Sequence, residues 1–202
     1  MIHTTTPTEI GKHVRRLCAR IGVTSDPVRL PVCRDAKAVP NECFANVARK
    51  IAAEGGSIQY GWLIWEWPHV FIEAEFHAVW RNPMGELAEV SNPGNGEPEI
   101  LFVPDTQRTF SGRQVDNVRL AIRSDPTVHD YLASAAEFFA VLNRGNRADQ
   151  FGGVSVPTAE IAKIAVRMKV AREMIERNLR ASDPCACGSG RRYKRCHGVR
   201  HS

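Results

Sequence analysis

The region that most restricts the fold lies at residues 58–81, where hydrophobicity alternates with a period of two. It consists of two runs rich in aromatic and β-branched residues, IQYGWLIWEW and HVFIEAEFHAVWR, with a break at Pro68. Such runs predict strands. In the second run polar and apolar side chains alternate, so a strand places them on opposite faces. The apolar face holds Ile72, Ala74, Phe76, Ala78 and Trp80; the other holds Glu73, Glu75, His77 and Arg81, with Val79 as its one apolar member.

Shorter patterns add elements around these two strands. The turn NPMG at 82–85 reverses the chain into ELAEV and predicts a hairpin, while EILFVP and residues 117–122 predict two more strands. Apolar residues at helical spacing predict helices over 8–22, 42–54, 128–143 and 157–181. Asn41 is placed to cap the second helix, and three prolines within 23–40 favour an irregular, extended segment. The predicted fold class is α+β: an antiparallel sheet with flanking helices, followed by a long helix and a small zinc-binding C-terminal module.

Charge is distributed unevenly along the 202 residues. The net charge of +5 combines −2 over residues 1–159 with +7 over residues 160–202. A basic C-terminal fifth favours an anionic partner, although solvated helix faces would give the same pattern. No apolar run reaches the length of about 18 residues that a membrane span needs, and the first residues lack the order of a signal peptide. We therefore expect a cytoplasmic protein without a membrane span.

The C-terminal tail, DPCACGSGRRYKRCHG, holds three of the six cysteines. Cys185 and Cys187 form a C-x-C pair, and after eight intervening residues Cys196 is followed directly by His197. Three thiolates and one imidazole complete a tetrahedral zinc site with no open position for water, which predicts one structural Zn2+. About twenty residues bury too little apolar surface to fold alone, so the metal would supply much of the folding free energy.

This spacing, with GSG and a basic-Tyr-basic stretch inside it, resembles the SEC-C motif, a zinc-binding tail first recognised in a translocase motor ATPase and attached to many other proteins. The resemblance implies a docking element that binds a chaperone or the ribosome. Basic residues in the motif suit ribosomal RNA or an acidic protein face; they are Arg191, Arg192, Lys194 and Arg195. We predict a protein partner or the ribosome and its RNA, and the sequence leaves the oligomeric state open.

A second group of reactive residue types lies in the body of the chain. Cys43 falls in the first turn of the helix predicted over 42–54, where the helix dipole and free N–H groups favour a thiolate. His77 lies on the polar face of the predicted strand, and the hairpin partner strand supplies Glu89, with Asn92 beyond it. A cysteine nucleophile, a histidine base and a side chain that orients the imidazole are the parts of a cysteine-dependent acyl-transfer site.

The order of these residues, with HAVW leading into a hairpin and an acidic residue, is similar to that of papain-like and transglutaminase-like folds. The resemblance implies that Cys43 attacks an amide or thioester carbonyl, that His77 serves as base and then acid, and that Glu89 or Asn92 orients the ring. The acyl group would pass to water or to an amine. Asn41, through its side chain or backbone, is the candidate oxyanion donor.

Two interpretations of these residues remain open. In one, Cys43 is a small buried hydrophobe and His77 belongs to a solvated strand face, and the protein is a binding adaptor without chemistry. In the other, residues 1–155 form an α+β domain with a cysteine hydrolase or acyltransferase site. In both, residues 156–182 form an amphipathic basic helix and residues 183–202 form the zinc module.

Overall fold

The computed structural model describes residues 4–91, 96–150 and 154–198. The helices are α1 (Lys12–Ile21), α2 (Cys43–Glu54), α3 (Pro126–Leu142) and α4 (Thr158–Glu176), with short 3-10 helices at Gly145–Asp149 and Tyr193–Arg195. The strands are β1 (Val28–Pro31), β2 (Ser57–Trp67), β3 (Phe71–Arg81), β4 (Leu87–Ala88), β5 (Glu99–Pro104) and β6 (Val118–Ala121). The combination of helices with an antiparallel sheet confirms the predicted fold class.

The sheet is centred on the two long strands that the alternation predicts. Its order is β1-β5-β2-β3-β4, and β6 also pairs with β3. A parallel bridge between Val32 and Glu89 links the end of β1 to the chain just after β4. Because β1 and β4 are the two ends of the strand order, this bridge means that the sheet curls until its edges meet.

Both faces of the sheet are covered near the end of β3. Val79 packs in one cluster with Leu63, Trp65 and Phe102. Ala78, its neighbour in sequence, packs in a second cluster that includes residues of α2. Since successive strand residues point to opposite faces, neither face is open to water here. The expected solvated polar face is therefore wrong at this end of β3.

Glycine at position 61 allows β2 and β5 to approach closely. A Cβ atom there would lie 2.3 Å from the carbonyl oxygen of Val103 and 2.4 Å from the ring of Phe102. Both distances are far below van der Waals contact, and the backbone oxygen cannot move without breaking the ladder. Gly61 therefore contributes to the tight curl of the sheet.

Three local predictions differ from the structure. Strand β1 forms within the proline-rich segment, because Pro31 lies at the strand's end, where prolines are tolerated. Asn41 does not cap α2: Glu42 is the N-cap residue, without a side-chain hydrogen bond, and Asn41 has a left-handed φ of 62°. Helix α4 ends at Glu176 instead of continuing to residue 181.

The chain divides into two compact units. The first contains the sheet with α1 and α2 and draws its residues from 1–68, 72–111 and 115–120. The second contains α3, α4 and the tail and draws its residues from 69–71, 112–114 and 121–202. Within it α3 packs along α4, and the buried face of α4 comprises Ile164, Val170, Ala171, Met174 and Ile175. The module boundaries near residues 155 and 182 stay predictions.

Candidate functional site

Cys43 is the first residue of α2, at the end of a helix where the backbone N–H groups have no intrahelical acceptor. The N-cap residue Glu42 contributes no side-chain acceptor to them. The thiol is buried and packs with Val47, Ala78 and Val90. These N–H groups can donate to an anion that lies at this helix end.

His77 and Glu89 form a buried pair beside this helix end. The Nε2 atom of His77 lies 2.5 Å from Oε2 of Glu89, and the two residues are 5% and 0% exposed. The other ring nitrogen, Nδ1, is buried and has no hydrogen-bond partner within the usual distance among the described residues. Nδ1 is therefore the nitrogen available to Cys43, while Nε2 is held by the carboxylate.

Charge in this group favours a protonated imidazole. Burial of the ring opposes protonation, but the charges of Cys43 and Glu89 and the hydrogen bond to Glu89 outweigh it. The pKa of His77 is consequently raised well above its usual value of 6.5. For the Glu89 carboxyl, burial by itself would raise the pKa. The charge of His77 and hydrogen bonds from His77 and Ser91 outweigh burial, so the pKa of Glu89 is lowered below its usual 4.5. The structure thus brings Cys43, His77 and Glu89 into one interacting group.

Two buried polar residues that the sequence analysis did not single out extend this group. The backbone N–H of Ser91 donates to Oε1 of Glu89 at 2.5 Å, and Nδ2 of Asn46 donates to the Ser91 hydroxyl at 3.1 Å. Asn46 could have been noticed as a polar residue three positions after Cys43 on the same helix. Ser91 carries no such local signal, because 45 residues separate it from Asn46.

Two asparagines, Asn92 and Asn41, were predicted to assist Cys43 and His77, and the structure describes one of them. Asn92, the alternative residue for orienting His77, lies outside the described residues. Asn41 is exposed, and its left-handed φ places it before the first turn of α2 rather than within it. Its use as an oxyanion donor stays a prediction.

The four predicted metal ligands in the tail converge. The ligand atoms of Cys185, Cys187, Cys196 and His197 all lie within 4.8 Å of one another. His197 Nδ1 is 3.4 Å from the Cys185 sulfur and 3.3 Å from the Cys196 sulfur, and the sulfurs of Cys187 and Cys196 are 3.5 Å apart. Tetrahedral Zn–S bonds of about 2.3 Å and Zn–N bonds of about 2.0 Å require spacings of roughly 3.5–3.8 Å. The cluster therefore matches the size and donor chemistry of a tetrahedral metal site.

The GSG turn shapes this cluster. Gly188 and Gly190 have φ values of 79° and 73°, which other residues rarely adopt. Between them the Ser189 hydroxyl lies 3.2 Å from the sulfurs of both Cys187 and Cys196. Hydrogen bonds from the Ser189 side chain and backbone lower the pKa of Cys187 to about 6, whereas burial raises the pKa of Cys185 to about 11.

Tyr193 anchors the tail within the second unit. It lies in the single 3-10 turn between the second and third cysteine ligands, and its side chain is 1% exposed. Burial and then the neighbouring Asp130 carboxylate of α3 raise the pKa of Tyr193. The tail is thus packed on α3 through Tyr193, the aromatic residue that lies among the basic residues of the motif.

The basic residues next to Tyr193 in the sequence differ from it in exposure. Arg191, Arg192, Lys194 and Arg195 are all exposed. None of them takes part in an ion pair within the described part of the chain. The module therefore presents a cluster of unneutralised positive charge around its buried tyrosine.

Comparison with known proteins supports the assignment of the tail. The family model of the SEC-C motif matches residues 182–198. The chain is also 33% identical over 78 residues to the protein translocase subunit SecA of Methylobacillus flagellatus, a match that covers 39% of this chain and 7% of that relative. The chain therefore spans a small fraction of the length of the curated relative that it matches. No solved structure matches it.

Among the described helices, none combines the length and the apolar character needed to cross a membrane.

Proposed function

We propose that this protein docks onto a macromolecular partner through a zinc-stabilised SEC-C module, and that its first unit carries a cysteine-dependent acyl-transfer site. The observation that carries the docking role is the coincidence of the SEC-C match at 182–198 with a converged set of three cysteines and one histidine. Cys185, Cys187, Cys196 and His197 would hold one Zn2+. With four protein ligands the metal has no open position, so it holds the tail in shape and leaves recognition to the surrounding side chains.

The partner is an anionic surface, either an acidic protein or ribosomal RNA. This proposal rests on the exposed, unpaired charges of Arg191, Arg192, Lys194 and Arg195, and on the +7 charge of residues 160–202. Contacts to phosphates or exposed carboxylates are screened by salt, so binding should weaken steeply as salt rises. A cytoplasmic location would keep the thiols reduced for metal binding.

Ribosome co-sedimentation and pull-down at increasing salt test the docking proposal. The double variant Arg191→Glu, Arg192→Glu should lose binding, because it reverses charge without removing a metal ligand. The control variant Arg16→Glu changes an exposed arginine of α1 in the other unit and should bind like wild type. Equal binding by both variants, or binding that does not respond to salt, would contradict a basic docking surface.

The second part of the proposal rests on the buried His77–Glu89 pair beside Cys43. The Cys43 thiolate would attack an amide carbonyl, forming a C–S bond while the carbonyl oxygen takes the electron pair. The His77 imidazolium then gives its proton to the leaving nitrogen, and the C–N bond breaks to leave a thioester. His77 next takes a proton from water or an amine, which attacks the thioester carbonyl, and the C–S bond breaks to restore the thiolate and the imidazolium.

Glu89 would orient the ring throughout this cycle, because it holds Nε2 and leaves Nδ1 for proton transfer at Cys43. Free N–H groups at the start of α2 are the donors available to the oxyanion that forms during attack. The first unit is accordingly proposed as a cysteine hydrolase or acyltransferase of the papain-like or transglutaminase-like kind, within the region 1–155.

Alkylation of the full chain by iodoacetamide, followed by mass spectrometry of each cysteine peptide, tests this site. Cys43 should react faster at neutral pH than the other buried thiol outside the tail, Cys18, although both are shielded. The variant His77→Ala should slow labelling of Cys43 and leave that of Cys18 unchanged. Slow labelling of Cys43 that does not depend on His77 would favour the alternative, an adaptor whose first unit only binds a protein partner.

A further inference from the structure

A chain of buried polar side chains runs from the orienting carboxylate back to the helix that bears Cys43. Glu89 accepts from the Ser91 backbone N–H at 2.5 Å, and the Ser91 side chain also acts to lower the pKa of that carboxyl. Nδ2 of Asn46 donates to that hydroxyl at 3.1 Å. Ser91 and Asn46 are 5% and 2% exposed. Ser91 therefore accepts a hydrogen bond from Asn46 through its hydroxyl and donates one to Glu89 through its backbone N–H.

Asn46 also holds the segment that leads into Cys43. Its Oδ1 accepts from the Val39 N–H at 2.9 Å, and its Nδ2 donates to the Val39 carbonyl at 2.9 Å. The Asn46 side chain thus ties Val39, four residues before α2, to Ser91, three residues after β4. Cys43 lies between these two attachment points on Asn46 and Val39.

This arrangement has no advantage for packing. The surroundings are apolar, with Cys43, Val47, Ala78 and Val90 forming one buried cluster. Polar groups in such a place cost free energy unless each is hydrogen-bonded, and an apolar pair of similar shape would avoid that cost. The buried polar side chains instead fix the orientation of the Glu89 carboxylate. Because this carboxylate holds Nε2, they also fix the plane of the His77 ring.

We infer that Asn46 and Ser91 are positioning residues of the Cys43 site: they align Glu89 and His77 on one side and the start of α2 on the other. This inference rests on the proposed acyl-transfer site. It assigns neither residue a contact with substrate. The titratable groups that act on His77 are Cys43 and Glu89. A change in proton transfer caused by Ser91 must therefore pass through Glu89, whereas one caused by Asn46 passes through Glu89 or through Cys43 at the start of α2.

The test measures the rate of iodoacetamide labelling of Cys43 in the full chain between pH 5 and 9. In Ser91→Ala and Asn46→Ala, labelling at pH 6 should fall about tenfold and its acid limb should move to higher pH, because each variant leaves a buried hydrogen-bonding group without its partner, an effect of about this size. Ser91→Thr keeps the hydroxyl and should restore the wild-type profile. Ser134→Ala removes a buried serine of α3 in the second unit and should leave the profile unchanged.

The outcomes separate this inference from the function on which it rests. If Cys43 labelling in wild type is slow and does not depend on His77, the acyl-transfer site fails and the positioning roles fail with it. If labelling is fast and requires His77, but Ser91→Ala keeps the wild-type pH profile, the positioning inference alone is overturned. Circular dichroism shows whether Asn46→Ala remains folded. If it unfolds, the comparison of the pH profiles of Ser91→Ala and Ser91→Thr decides whether the positioning inference holds.

Discussion

At the scale of single residues, Glu89 places a charged group inside the first unit. It is a fully buried carboxylate whose charge is offset by His77 at 2.5 Å and by hydrogen bonds from Ser91. Removal of one partner from such a pair leaves the other charge buried without compensation, which costs more than the intact pair contributes. The stability of this unit should therefore depend on pH through these two groups.

The sign follows from the directions of the two pKa shifts. The pKa of His77 is raised above 6.5, so its contribution to stability is complete below about pH 6.5 and is lost as pH rises through the raised value. The pKa of Glu89 is lowered below 4.5, so its contribution is complete above about pH 4.5 and is lost as pH falls through the lowered value. The full contribution of the pair lies between these two limits.

We expect Glu89→Gln to lower the free energy of unfolding by about 3 kcal/mol at pH 6, with a loss that diminishes as pH rises through the raised pKa of His77. Urea denaturation at pH 6 and pH 9 measures the change. The control Glu86→Gln removes an exposed carboxylate of the same hairpin and should change stability by less than about 0.5 kcal/mol at either pH. A loss that is larger at pH 9 than at pH 6 would contradict a buried pair in which His77 carries the positive charge.

At the scale of elements, the GSG turn determines whether the metal ligands can converge. Gly188 and Gly190 adopt left-handed φ values that other residues rarely adopt, although neither has a neighbouring atom within 4 Å of its Cβ position. A substitution there acts through backbone strain rather than through a clash. Strain in the turn should appear as weaker metal binding, because the ligands fold around the metal.

Gly188→Ala should weaken zinc binding by about fivefold, since a left-handed conformation costs an ordinary residue about 1 kcal/mol. Competition with a chromophoric chelator gives the zinc affinity. Gly11→Ala is the matched control: its Cβ position also has open space, but its φ is −84°. Unchanged affinity in Gly188→Ala would mean that the turn adopts another conformation.

The other elements show which local sequence patterns were sufficient to predict a helix or a strand. The 3.6-residue and two-residue periods predicted α1 to α4, β2, β3 and β5, because each long element buries one repeating set of side chains. β1 was missed because Pro27 precedes it and Pro31 ends it, and proline disfavours a strand; pairing with β5 holds it in the sheet. The capping role of Asn41 was wrong because the backbone turns through a positive φ before α2 begins.

At the scale of the whole molecule, the charge asymmetry coincides with the second unit. Residues 160–202 carry +7 and the rest of the chain −2, and α4 and the tail belong to the same compact unit. The tail is joined to this unit through Tyr193, which is buried beside Asp130 of α3. Loss of the metal should therefore affect the second unit and leave the sheet intact.

Elemental analysis of protein purified without chelators should find one zinc per chain, and none in Cys185→Ser. Hydrogen exchange after zinc removal should show loss of protection in residues 183–198 and in α3 near Asp130, while amides of β2 and β3 stay protected. Cys33→Ser, which removes an exposed cysteine of the first unit, is the control and should retain zinc. Absence of zinc from fresh protein, or loss of protection throughout both units, would contradict a local structural site.

The sequence by itself determined the ligand set of the metal cluster and the two central strands. Both depend on short-range spacing: four ligands within thirteen residues, and side chains that alternate along one strand. Only the tertiary structure decided that His77 is buried and meets Glu89, and that Asn46 and Ser91 lie behind them. Those contacts span 12 and 45 residues. They depend on strand register and on the packing of α2 against the sheet, which no local pattern encodes.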